Sequence, residues 1–163
     1  MTFTEFLSFF PEVDLPVTLS EETIDVFSRN NKVLPLEAID AFIGQWEEID
    51  GDTTEYIPCI QLPQQDDYIG IIYWRGAILQ YDYFLVTLDK NGQLISRKSI
   101  ASTKIDGEII KRSVASIDND LIINIIAGAS QSEQDYDPDQ SQAFSMEVMP
   151  TGDILFTFGD EGN

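Results

Sequence analysis

Apolar residues along this chain keep a helical spacing up to about residue 45 and a strand spacing from about residue 55 onward. In the first part Phe3, Phe6, Leu7 and Phe10 recur at intervals of three, four and seven, which places them on one face of a short helix. Thr2 and Glu5 stand at capping-box spacing at its start, and Pro11 ends it. The segment PEVDLPVTLS carries two prolines and predicts extended backbone. Ser20 is placed to cap a brief acidic helix over 21–28, with Ile24 and Phe27 inward. A third helix is expected with Pro35 at its first position, an apolar face of Leu36, Ile39, Phe42 and Ile43, and Gly44 as its stop. The acidic run EEIDGDTTE, 47–55, marks the change of period.

Eight runs then read as strands: 56–62, 68–79, 81–88, 94–102, 108–117, 121–128, 143–149 and 154–158. Their links, PQQDD, DKNG, KIDG, DND and PTGD, are short and rich in Gly, Asn, Asp and Pro, so neighbouring strands should be antiparallel. The DKNG turn leaves two registers open. A longer loop sets Leu88 against Leu94 and Val86 against Ser96; a tight Asn-Gly turn sets Leu88 against Ile95 and Val86 against Arg97. Residues 121–127 are apolar on both faces except for Asn124, which predicts a strand covered on both sides, with the N-terminal helices on one. The expected fold is α+β and mostly β: an antiparallel meander of about eight strands, strongly curved or barrel-like, with short N-terminal helices packed on it. One link breaks the pattern. SQSEQDYDPDQSQ, 130–142, is too long and polar for a hairpin turn, the mark of a functional loop or an unstructured one.

A length of 163 residues fits a single domain, with a helical part over 1–45 and the meander over 55–160. No apolar run reaches the roughly 18 to 20 residues of a membrane span, and no basic residue precedes Arg29, so no secretory leader or membrane contact is expected. Cys59, the sole cysteine, lies in an apolar run and predicts a buried thiol; the cytoplasm is the compartment that follows. Charge narrows the partners. The net charge is −20, and all nine Lys and Arg lie between Arg29 and Arg112. Such a surface repels nucleic acid and favours a basic protein, a toxin-neutralising role being one instance, or a small ligand.

The chain has no histidine, which removes Ser/His and Cys/His nucleophile pairs and most transition-metal sites. Asp135, Asp137 and Asp139 offer three hard oxygen ligands at the spacing that opens a calcium loop. The match then stops, because Gln140 replaces the turn glycine and Met146 stands where the closing glutamate belongs. A plain acidic loop is the favoured reading of this triplet, with a looser calcium site as the alternative. Arg97, Lys98, Lys104, Lys111 and Arg112 form the one relatively basic region, suited to cross-strand ion pairs or the rim of a binding surface. Tyr68, Tyr73, Trp74, Tyr81, Tyr83 and Phe84 crowd two neighbouring strands as core or as a recognition face. These features favour a non-enzymatic module that binds a protein or ligand. The alternative is a glycosidase-like hydrolase with paired carboxylates in a sheet cleft.

Overall fold

Backbone hydrogen bonding follows the change of period. The computed structural model describes residues 1–130 and 141–159. Helix α1 spans Phe3–Leu7, strand β1 Val17–Leu19, helix α2 Ile24–Asn30 and helix α3 Leu36–Ala41, followed by a 3-10 turn at Ile43–Gln45. Strands β2 (Glu55–Gln61), β3 (Ile69–Ala77), β4 (Gln80–Leu88), β5 (Leu94–Asp106), β6 (Ile109–Ile117), β7 (Ile122–Ser130), β8 (Gln142–Val148) and β9 (Ile154–Gly159) come next. These eight pair antiparallel in chain order, as the short links predict, and β1 adds to β6 as a ninth strand.

That addition bends the sheet. β6 pairs with β5 only over Thr103–Asp106, and from Ala115 onward it pairs with β1 instead, Leu19 against Ala115 and Val17 against Ile117. β5 and β6 therefore part, and the second half of the sheet curls over the first. The β8–β9 turn ends against β4, where Thr87 Oγ1 donates to the Gly152 carbonyl at 2.6 Å. Gly152 has φ +93°, and a Cβ there would stand 2.9 Å from Ile95 and 3.0 Å from Tyr68, so only glycine fits this contact. The curl does not close into a barrel, since β2 and β9 remain the two ends of the sheet order.

Two apolar clusters use the two sheet faces. Leu19, Ile72, Leu85, Ile100, Ile117, Ile123 and Met146 are buried in the curl. Phe6, Phe42, Ile43, Tyr73, Val86 and Leu88 are buried where α1, α3 and the 3-10 turn cover β2, β3 and β4, with Phe6 and Phe42 stacked at 4.4 Å. The capping box of α1 is present as expected, Glu5 N donating to Thr2 Oγ1 at 3.1 Å and Thr2 N to Glu5 Oε2 at 2.7 Å.

Several local expectations are corrected. Pro35 is the N-cap of α3 rather than its first residue, so Leu36 starts the helix and is 65% exposed, and Ala38 takes the buried position. Gly44 lies inside the 3-10 turn, not at the end of the helix. α2 starts at Ile24, later than expected, and Ser20 bonds the hydroxyl of Thr23 instead of capping a helix. β7 is covered on one side only: Ile123 and Ile125 are buried, but Ile126 is 58% exposed. Helices α1 and α3 cover β2 to β4 instead, while α2 packs against the curl through Ile24 and Phe27. The DKNG turn combines both registers. Leu88 pairs with Leu94, Val86 pairs with Arg97, and a bulge at Ile95 absorbs the difference.

Candidate binding site

Among the described residues, one heavily bonded side chain is not singled out by the sequence patterns. Glu47 leaves the 3-10 turn and points down between β2 and β5, its side chain only 8% exposed. Tyr56 donates to Glu47 Oε1 at 2.5 Å, Tyr73 donates to Oε2 at 2.7 Å, and Arg97 Nη2 donates to Oε2. Arg75 Nε approaches Oε1 to 3.2 Å, an ion-pair distance without the alignment of a hydrogen bond. Arg97 also donates to the Tyr73 hydroxyl at 3.1 Å and lies 3.8 Å above the Phe84 ring. Burial and then Glu47 push the Tyr56 phenol up to about 12, and the same causes push Tyr73 higher. Burial opposes the Arg97 charge, but Tyr73 and Glu47 outweigh it and raise its pKa. A carboxylate saturated by donors in this way anchors the turn to the sheet. The other buried carboxylate, Asp82, accepts from Ser99 at 2.8 Å and from Gln80 at 3.1 Å.

The sheet face opposite α1 and α3 carries a cleft of about 280 Å³, lined by Glu21, Ile24, Trp74, Tyr81, Tyr83, Ser102 and Thr103. Its wall is a stacked pair, Trp74 and Tyr81, with centroids 5.6 Å apart and planes at 4°. Gly76 makes the stack possible, because any Cβ at that position would stand inside the indole ring that lies across it. Tyr83 donates to the Ser20 carbonyl at 2.8 Å. Burial pushes the Tyr83 phenol well up; Cys59 adds to this, and so do the carboxylates of Asp25 and Glu22. The α2 side of the cleft is thus acidic. On its rim Glu21 pairs with Arg112 at 2.8 Å, both side chains partly exposed.

Beyond Gly76 the β3–β4 hairpin ends in a two-residue turn, Ile78 and Leu79, between the paired Ala77 and Gln80. Ile78 is 70% exposed and Leu79 53% exposed. Leu79 has φ +62°, the left-handed region that a leucine rarely adopts, and its carbonyl accepts from Ile105 N at 2.9 Å. Two exposed aliphatic residues at a hairpin tip, one of them strained, therefore adjoin the aromatic stack.

The residues singled out from sequence divide as follows. Asp135, Asp137 and Asp139 lie outside the described residues, as does most of the 130–142 link. Among the described residues, no group of three or more Asp, Glu, Cys or His is placed to hold a metal ion. Tyr68, Tyr73, Tyr83 and Phe84 are buried, whereas Trp74 and Tyr81 reach the surface. The basic region is split: Arg97 turns inward to Glu47, Arg112 pairs with Glu21, and Lys98, Lys104 and Lys111 are exposed. Cys59 is fully buried, and burial pushes its thiol pKa up, as expected of a structural cysteine. Among the described residues no helix is long and apolar enough to cross a membrane.

The class defined by these features is an open, curled antiparallel sheet with α1 and α3 on one face and an acid-rimmed aromatic cleft beside α2 on the other. No family model, curated protein or solved structure matches the chain.

Proposed function

We propose that this chain is a non-enzymatic binding module that takes a basic protein at the β3–β4 hairpin tip and the adjoining cleft, in the cytoplasm. The observation that carries this reading is the exposed Ile78–Leu79 tip, with Leu79 held at φ +62°, next to the Trp74–Tyr81 stack. Backbone strain and exposed aliphatic surface at one place favour a contact surface, and Trp and Tyr are the residues that most often dominate such contacts. Charge supports a basic occupant. Glu21 stands on the rim, Glu22 and Asp25 lie close enough to act on Tyr83, and the whole chain carries −20. A guanidinium or ammonium group entering the cleft gains both the aromatic face and a carboxylate. The resident Glu21–Arg112 pair is partly exposed, and pairs of that kind contribute under about 1 kcal/mol. Exchanging Arg112 for a partner's cation therefore costs little.

The test is a fluorescence titration on a Trp46→Phe background, which leaves Trp74 as the one indole. An arginine- and leucine-containing peptide should give a saturable change, and Ile78→Ser or Glu21→Gln should weaken it about tenfold, roughly 1.4 kcal/mol. A response equal to that of a matched glutamate peptide, or one unaffected by both substitutions, would refute the assignment.

A further inference from the structure

The Glu47 cluster shows what surroundings this fold gives a guanidinium. Arg97 is bonded to the Glu47 carboxylate, donates to the Tyr73 hydroxyl at 3.1 Å and lies 3.8 Å above the Phe84 ring. One planar cation thus takes a carboxylate, a hydroxyl and an aromatic face together. The cleft on the opposite sheet face presents the same three kinds of group. Glu21 stands at its rim, and Trp74 and Tyr81 form a wall with ring planes at 4°. Thr103, paired with Tyr81 across the ladder, adds a hydroxyl on the same side of the sheet.

Glu21 also has a free oxygen. Arg112 Nε reaches its Oε2 at 2.8 Å, while Oε1 receives no hydrogen bond among the described residues. A carboxylate can hold two guanidinium groups in this way, as Glu47 does with Arg97 on Oε2 and Arg75 3.2 Å from Oε1. The segment that carries Glu21 is fixed in advance. Tyr83 donates to the Ser20 carbonyl at 2.8 Å, and Ser20 N donates to Thr23 Oγ1 at 3.1 Å.

We propose that the cleft selects an arginine side chain of its partner over a lysine. This selection presupposes that a basic partner seats in the cleft, as proposed above, and narrows what it must present. A guanidinium lies flat on a ring while its in-plane N–H groups reach a carboxylate and a hydroxyl at the cleft's edges. An ammonium is a compact, strongly hydrated point charge with its donors splayed, so it gives up either the ring face or part of its hydration. Ile24 supplies apolar surface for the aliphatic stem that both side chains share.

The experiment titrates the full chain, carrying Trp46→Phe, with short blocked peptides that differ only in a central arginine, lysine or citrulline, read by Trp74 fluorescence. Arginine should bind about tenfold more tightly than lysine, and citrulline, which keeps the planar shape without the charge, more weakly than arginine by at least as much. Tyr81→Leu removes the flat wall and should bring the arginine-to-lysine ratio close to one. Ile78→Ser, at the hairpin tip, should weaken both peptides alike and leave the ratio unchanged. Equal affinities for arginine and lysine in the parent chain, a ratio that survives Tyr81→Leu, or citrulline binding as tightly as arginine would overturn the selection. If arginine and lysine peptides bind equally and Glu21→Gln weakens both, the cleft still seats a basic partner and only the selection falls. If no peptide gives a saturable change, both fall together.

Discussion

Glu47 shows how one side chain joins two layers. Four groups from three strands converge on its carboxylate, and none of them is within eight residues of it in sequence. Removing the charge leaves Arg97 and Arg75 facing a neutral amide beneath the helices. Breaking a buried pair from one side costs about 3 to 5 kcal/mol, so Glu47→Gln should lower the urea midpoint sharply with an unchanged slope. A loss under about 1 kcal/mol would mean that the cluster is solvated. The tyrosines around this network and in the curl give a second test. Tyr56 and Tyr68 are pushed up to about 12 by burial, and Tyr73 and Tyr83 further, against an ordinary value of 10.0. A phenol whose pKa is higher folded than unfolded stays neutral in the native state. Its contribution to stability is therefore complete below pH 10.0 and is lost as pH rises through the folded value. Phenolate absorbance should lag behind a free-tyrosine curve and then jump together with unfolding near pH 12. A smooth rise centred at pH 10.0 with the fold intact would contradict this burial.

At the scale of elements, the curl depends on the β8–β9 turn meeting β4. Gly152→Ala forces a side chain into the left-handed region and against Ile95 and Tyr68, so it should cost about 2 kcal/mol or more. Thr87→Val, which removes the 2.6 Å bond to the Gly152 carbonyl and the longer 3.5 Å contact with the Ser96 carbonyl, should cost about 1 to 3 kcal/mol because the Gly152 carbonyl is left without this donor. Thermal melts of the two variants check both values. If Gly152→Ala melts like the parent chain, the hairpin is not docked. The strands themselves were legible because their links contain turn residues and their faces alternate. Three features were not. β1 is only three residues long and is defined by pairing with β6, about a hundred positions away, which no local period reports. The Ile78–Leu79 turn contains no Gly, Asn, Asp or Pro, so the sequence RGAILQ reads as continuing strand. Coverage of β7 was misjudged because apolar residues on both faces also arise when one face, here carrying Ile126, is left exposed.

Over the whole molecule, the excess of acid acts in opposite directions on folding and on binding, and salt separates the two. With −20 on 163 residues, the surface charges repel one another in the compact state. Screening relieves that repulsion, whereas the buried Glu47 cluster is screened far less because solvent ions do not reach it. Raising sodium chloride from about 0.02 to about 0.5 M should therefore raise the melting temperature by a few degrees, as surface repulsion falls with the Debye length. Association with a basic peptide at the Trp74 cleft relies on the same field, so its on-rate should fall at least about tenfold over that range. Glu21→Gln should act mainly on the off-rate, because it removes a contact and only one of 29 acids from the field. Stopped-flow and thermal melts on one salt series supply both measurements. A melting temperature that falls with salt would mean that attractive surface pairs outweigh repulsion in this fold. An on-rate independent of salt would mean that the partner docks through the apolar tip of Ile78 and Leu79 without help from the acids around it.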